Sequence, residues 1–273
     1  MALTNNSNKI IKSLELSIQI SLSGLSFCIL QRDSNTIIKL RSINFEKSLT
    51  PFEVLDCLKD LFSNDPDLQN TFQKVSIIHD NDISAQVPKD LFDETYLADY
   101  LKFNSKILKS DFITYDAIIA NNCINVYVPY ININNFVYEK FGTFTFKHVS
   151  TILIEALHNL EKNKKSTKIY INVCRLHFEL VVFINGELHL YNSYKYNTSE
   201  DFIYYILFVA EQLDLNPQVF DLVFLGEIDK NDDLYQICYK YIRNISFGTA
   251  LNTFIFKDKP KTEYSDFTLL NSL

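Results

Sequence analysis

The chain has 273 residues, 47% of them hydrophobic, with 22 Phe, 16 Tyr and a formal net charge of −7. That length and apolar share can bury a large core, as one big domain or two smaller ones. The acidic balance argues against a protein held to nucleic acid by a basic face, and no run approaches the roughly 18 apolar residues that span a bilayer, so membrane insertion is not expected.

The N-terminal segment MALTNNSNKIIKS is polar, has no signal-peptide apolar stretch and reads as a flexible lead-in. Residues 14–20 alternate around Leu14, Leu16, Ile18 and Ile20 and predict a half-buried strand. Ser21, Ser23 and Gly24 turn the chain into a second strand over 25–31, and Asp33-Ser34-Asn35 turns it into a third over 37–45. Short connections make the three an antiparallel meander. Thr50 then caps a helix, with Pro51 at its first position, Glu53 three residues after the cap and a buried stripe of Phe52, Leu55, Leu58, Leu61 and Phe62. Asn64-Asp65-Pro66 ends it, and KVSIIH (74–79) is a short buried strand.

Residues 84–88 read as extended, and Asp93-Glu94 as the start of a helix through Tyr100 and Phe103. Strands are expected over 112–120 and 124–129 around Asn121-Asn122, a short helix over 134–140 and a strand over 142–146. A helix over 148–163 shows Val149, Ile152, Leu153, Ala156, Leu157 and Leu160 on one face, with Lys162, Lys164 and Lys165 at its solvated end. Then come strands over 168–173, 178–184 and 187–194, the last two joined by the hairpin turn Asn185-Gly186. Thr198 or Ser199 caps the next helix, whose start carries Glu200 and Asp201, and Asn216-Pro217 ends it. A strand over 221–225, a helix over 232–244, and short strands over 245–247 and 251–256 follow. The tail ends in Phe267, Leu269 and Leu270, which could dock on the core.

The meander, helix and strand near the N-terminus thus recur after residue 168. An offset of 153 carries Ile18 onto Ile171, Ile20 onto Val173, Phe27 onto Leu180, Ile29 onto Val182 and Ile37 onto Leu190, and the helix 50–62 onto 203–215. A period this long is no solenoid; it predicts two domains of similar topology, residues 1–150 and 151–273, in a mixed α/β fold.

Three antiparallel strands, a helix and a further strand resemble the opening of a ribonuclease-H-like unit. Two such units in tandem resemble the actin-like ATPase superfamily, which includes actin, sugar kinases and heat-shock chaperones. More narrowly, LSIQISLSGLSFCIL (16–30) and INVCRLHFELVVFINGEL (171–188) resemble a bacterial family known as domain of unknown function 3822. The superfamily resemblance implies an Asp near a Gly in the first turn of each unit, placing magnesium and the attacking water, with Gly and hydroxyl groups on the phosphates. Here Gln19 and Ser21 stand at that place in the first unit, and Asn172 and Cys174 in the second, followed by Arg175 and His177. Neither turn has a carboxylate. An adenosine loop would follow the late strand, where FLGEID has only Gly226.

The chain holds only 5 glycines, under half the usual share of about 7%, so few places suit a backbone cradle for phosphate. The five cysteines, Cys28, Cys57, Cys123, Cys174 and Cys238, are isolated and odd in number, which reads as reduced thiols of a soluble cytoplasmic protein. The histidines His79, His148, His158, His177 and His189 show no metal-ligand spacing, so no metal site is expected. Arg175 and His177 are read as surface or strand-pairing positions.

The expected function is therefore a non-catalytic interaction or scaffold protein, a pseudoenzyme on a degenerate actin-like fold, with no catalytic residue and a protein partner that could be a second copy. The alternative is a regulatory protein that binds ATP with weak or no hydrolysis. Ser21, Ser23, Gly24, Ser26 and Gly226 are the residues expected to touch such a nucleotide. A hydrolase or kinase with a rebuilt site is the least favoured reading.

Overall fold

The computed structural model describes residues 13–249 and 253–273. Nearly all of the expected lead-in, and the start of the strand expected over 251–256, lie outside those residues. The first half opens with β1 (Leu14–Ile20), β2 (Gly24–Gln31) and β3 (Thr36–Asn44), then α1 (Pro51–Asn64) and β4 (Lys74–His79). A small unit follows, made of β5 (Ser84–Pro88), α2 (Leu97–Leu101), β6 (Thr114–Ile118) and β7 (Cys123–Tyr127). The chain returns through α3 (Ile131–Phe141), β8 (Thr145–His148) and α4 (Val149–Glu161). The second half has β9 (Thr167–Val173), β10 (His177–Ile184), β11 (Glu187–Lys195), α5 (Ser199–Gln212), β12 (Asp221–Gly226), α6 (Asp233–Tyr241) and β13 (Asn244–Phe247). Two last pieces are β14 (Ile255–Phe256) and α7 (Phe267–Leu270).

The strands form three sheets, ordered β14-β3-β2-β1-β4-β8, β11-β10-β9-β12-β13 and β5-β7-β6. In both large sheets a three-stranded antiparallel meander is extended by strands parallel to its first member. The duplication reaches the level of register. Ile18 pairs with Phe27, and their counterparts at the offset of 153, Ile171 and Leu180, also pair. Each meander has its register shift at the same place, after Ile29 in β2 and after Val182 in β10.

Beyond that point the single offset fails. The first unit turns through Arg32–Ser34 and a left-handed Asn35, while the second uses only Asn185 and Gly186, both with positive φ. That hairpin is two residues shorter, so Ile37 corresponds to Leu188 and not to Leu190. The next connection is shorter again, and the caps Thr50 and Thr198 match at an offset of 148. The helix therefore starts at Ser199, not at 203. Both helices open with a capping box, Thr50 with Glu53 and Thr198 with Asp201. Two other expectations change. The helix expected at 134–140 begins three residues earlier, at Ile131. The one expected from Asp93 is broken: Asp93 accepts from Thr95 N and starts a single 3-10 turn ahead of the five-residue α2.

Packing follows the alternation of the strands. One face of the first sheet, with Leu16, Ile18 and Phe27, packs on Val54 and Leu58 of α1 and Ile133 and Val137 of α3. Its other face, with Cys28, Leu30, Ile37 and Ile78, meets Val149 and Ile152 at the start of α4 and the docked Leu269 and Leu270 of α7. The rest of α4, with Leu153, Ile154 and Leu157, packs on Tyr170, Val181 and Phe183 of the second sheet. The far face of that sheet is covered by α5 and α6 around Phe178, Phe202 and Phe224. One helix is thus shared by two cores, which fixes the two sheets relative to each other. At its end Glu161, fully buried, accepts from Tyr170 Oη at 2.7 Å and pairs with Lys164 and Lys168. Lys164 is therefore more than a solvated helix end.

His79 and His148 pair across β4 and β8 and are fully buried. His79 Nδ1 accepts from Tyr130 N at 3.3 Å, and Nε2 meets Asn134 Oδ1 at 3.0 Å. His148 caps α4 by accepting from Ser150 N, and its Nε2 reaches Asn81 O at 3.0 Å. One acceptor and one donor nitrogen per ring is the neutral form. Burial pushes His79 down to about 3 and His148 to about 4. The unfolded chain titrates near 6.5, so below that it binds protons that the folded chain refuses, and stability falls with acid. The urea midpoint is expected to drop between pH 7 and pH 5. His148→Asn, which keeps a capping acceptor without titrating, should lower the midpoint at pH 7 and flatten that drop; an unchanged slope would contradict the assignment.

Candidate functional site

The turn after β1, the end of β4 and the turn before β10 converge on a cleft between the two large sheets. It encloses ≈ 310 Å³. Ser21, Ser23, Asp80 and Tyr130 line it from the first half, and Leu176, His177, Lys195 and Tyr196 from the second.

Ionisable side chains bridge its floor. His177 Nε2 lies 3.1 Å from Asp80 Oδ1 and 3.2 Å from Glu179 Oε1. Gln19 Nε2 donates to Asp80 Oδ2 at 3.1 Å, and Asn172 Nδ2 donates to Glu179 Oε2 at 2.8 Å. Gln19 and Asn172 are counterparts at the offset of 153, so the duplication supplies one amide to each carboxylate. Thr268 of α7 donates to Gln19 Oε1 at 2.6 Å, which sets the orientation of that amide. Cys174 Sγ is 3.8 Å from Glu179 Oε2.

Burial works against the charged form of each of these groups, and their mutual contacts decide the outcome. Burial alone would raise Asp80, but His177 and Gln19 outweigh it and hold the carboxyl below its usual range. Burial alone would strip His177 of its proton, but the Asp80 carboxylate 3.1 Å away holds that proton on well above the usual histidine range. Burial, helped by Glu179, pushes the Cys174 thiol up. At neutral pH that thiol is uncharged, so the charge facing His177 comes from the carboxylates. At the mouth of the cleft Lys195 Nζ pairs with Asp82 Oδ2 at 2.7 Å, a second link between the halves. Both partners are more than half exposed, so this link contributes little.

The residues expected from the sequence to meet a nucleotide are only partly gathered here. Ser21 and Ser23 line the cleft, but their hydroxyls close the turn: Ser21 Oγ donates to Gly24 O at 3.1 Å, and the two hydroxyls meet at 3.0 Å. Ser26 donates to Ser42 on β3. Gly24 lets β2 approach β3, since a Cβ there would sit 2.7 Å from Ile43 O. Gly226, at φ +81°, ends β12 against β9, where a Cβ would fall 2.2 Å from Val173 O.

His177 opens β10 and pairs with Lys195 of β11, as a strand-pairing residue does, but its side chain, 15% exposed, sits between two carboxylates rather than on the surface. Asp80 carried no signal in the turn motifs because its carboxylate comes from the next strand. Asp80 N donates to Ile20 O, and Glu227 N donates in the same way to Val173 O. The duplication thus puts an acid after each of these parallel strands, and aligning the ends of β4 and β12 would have pointed to Asp80.

A cleft between two duplicated sheets, each an antiparallel meander extended by parallel strands, defines the actin-like ATPase architecture. Residues 4–245 match the family of proteins of unknown function DUF3822, and the chain belongs to that family. No functionally curated protein matches the sequence. A solved structure from Bacteroides thetaiotaomicron, of actin-like ATPase fold and unknown function, is similar at 25% identity, covering 87% of this chain and 91% of its own, with a TM-score of 0.78. The PilM–PilN type IV pilus biogenesis complex matches at 9% identity over 94% and 95% of the two chains, with a TM-score of 0.59. The ethanolamine utilization protein EutJ from Carboxydothermus hydrogenoformans matches at 7% identity over 94% and 86%, with a TM-score of 0.50. At such identities the last two show the fold alone.

The glycine geometry is directly testable. A Cβ at Gly142 (φ +73°, ψ −120°) meets nothing within 4 Å, so Gly142→Ala should lose only the backbone penalty of holding a side chain in a sparsely populated region, about 1–3 kcal/mol. Gly226→Ala must also displace β9 and should lose clearly more in urea denaturation. Equal losses would mean that Gly226 is not a packing glycine.

Proposed function

We propose that this protein is a non-catalytic interaction or scaffold protein, in which the actin-like cleft has become a clamp between two units, residues 1–150 and 151–273. The observation that carries this reading is the Asp80–His177–Glu179 bridge across the cleft floor. A triphosphate site needs positive charge and free donors aimed at the phosphates. This floor offers two carboxylates, and the nearby cations, His177 and Lys195, are already paired with acids. The hydroxyls of Ser21 and Ser23 bond to each other and to Gly24 O within their own turn. Magnesium lacks its expected acids in the two turns, which hold Ser21 and Cys174.

The partner in this reading is another protein or a second copy of the chain. The PilM–PilN complex, named for a two-protein assembly, supports the idea that this architecture can serve protein contacts. Five unpaired thiols and the lack of any helix, among the described residues, long and apolar enough to cross a membrane fit a cytoplasmic setting. The second reading, an ATP-binding regulator, draws on the exposure of Ser21 and Ser23 to the cleft.

Calorimetric titration of the full chain with magnesium–ATP and magnesium–ADP separates the two. No heat and no thermal shift at millimolar nucleotide is the expected result. Micromolar binding that Asp80→Asn alters would overturn the scaffold reading in favour of the regulator. Sedimentation across a concentration series tests whether the partner is a second copy, since self-association would appear as a mass rising with concentration.

A further inference from the structure

We propose that Asp80, Cys174, His177 and Glu179 form a binding site for one zinc-class divalent cation, which ties the two halves of the molecule together across the cleft. This goes beyond the scaffold reading, because the site stands whether or not nucleotide binds above it.

The donor set is the first argument. One thiol, one imidazole and two carboxylates are the ligands that borderline-soft zinc accepts, whereas magnesium and calcium take oxygen alone. Geometry is the second. One ligand atom from each of the four residues lies within 4.8 Å of the others. With zinc bonds of about 2.0–2.3 Å, the edges of a tetrahedron are about 3.3–3.8 Å. His177 Nε2 stands 3.1 Å from Asp80 Oδ1 and 3.2 Å from Glu179 Oε1; Cys174 Sγ stands 3.8 Å from the other oxygen of Glu179, Oε2. Small rotamer adjustments bring the set around one centre.

The surroundings are the third argument. Gln19 and Asn172 each hold one oxygen of a carboxylate and leave the other turned toward His177, the outer-shell arrangement that orients ligands around a metal. Asp80 Oδ1 is buried, in a side chain 4% exposed, and makes no hydrogen bond despite its approach to His177. The Tyr191 hydroxyl, in the electrostatic field of all four residues, is also buried without a partner. A plain ion pair uses Cys174 only as a weak S–H donor to Glu179, whereas a cation engages Asp80 Oδ1 and the sulfur directly. Binding forms four metal–ligand bonds and releases the protons of the imidazolium and the thiol. Two carboxylates, an imidazolium and a thiol carry one net negative charge; so do two carboxylates, a thiolate, a neutral imidazole and a dication. The exchange therefore adds no buried charge.

The test uses the full chain, stripped with a chelator under reducing conditions, titrated with zinc against a chromophoric competitor and separately with cobalt(II). The expected result is one zinc per chain. Cobalt should give the intense visible bands of four-coordinate metal and a near-ultraviolet thiolate-to-cobalt band. Cys174→Ser should abolish the thiolate band, and Cys57→Ser should leave it intact. Asn172→Ser, which removes the amide that donates to Glu179 and to Cys174 Sγ, should weaken zinc about 10- to 100-fold while circular dichroism stays native. No zinc retained by the wild-type chain, or cobalt spectra unchanged by Cys174→Ser, would overturn the proposal. Both readouts are independent of the nucleotide titration, so the metal site and the scaffold reading can fail separately.

Discussion

One buried contact, His177 of the second sheet against Asp80 of the first, decides what this cleft can be. The two sheets already share α4, which is buried in the cores of both. Shared apolar packing is non-directional, however, and would allow the cleft to open or close by small slides. A charged, desolvated pair is different. Separating it would leave Asp80 without its charged partner while His177 keeps Glu179, and breaking a buried pair by removing one partner typically costs about 3–5 kcal/mol. The contact therefore ties the two halves together at the floor of the cleft.

The same contact links the tail to the cleft. Thr268 of α7 orients Gln19, Gln19 holds Asp80, and Asp80 faces His177. Residues more than two hundred positions apart thus serve one site, and β14 pairs with β3 to bring the tail back over the first sheet. The two amides, Gln19 and Asn172, are the clearest trace of the duplication in the site. Sequence counterparts perform the same task on opposite sides of the cleft, although the acids they hold, Asp80 and Glu179, occupy different places in their units.

The fold was legible because its signals are local. Strand alternation at Leu16–Ile18–Ile20, the capping residues Thr50 and Thr198, and the Asn185-Gly186 hairpin each act within a few residues. Their order was enough to expose two repeated units. Offsets drifted where loops changed length, which periodicity alone does not register. The site was legible only in outline. Of the residues expected to touch a nucleotide, Ser21 and Ser23 line the cleft. What the sequence could not place was an acid arriving from the end of β4, because sheet order, not sequence spacing, brings Asp80 beside His177. His177 is the strand-start residue it looked like, but its place in the site was hidden for the same reason: Glu179 follows it on β10, while Asp80 arrives from the other half of the chain.

The central claim is that the halves are coupled through Asp80 and His177, and a double-mutant cycle measures that coupling most directly. Urea unfolding at neutral pH, with chelator present to exclude metal, would compare the wild-type chain, Asp80→Asn, His177→Gln and the double variant. A coupling energy above about 1 kcal/mol is the expected result, as for residues in one ion-pair network. Additivity within about 0.3–0.5 kcal/mol would mean that the two side chains merely lie near each other, and that the cleft is not held shut by them.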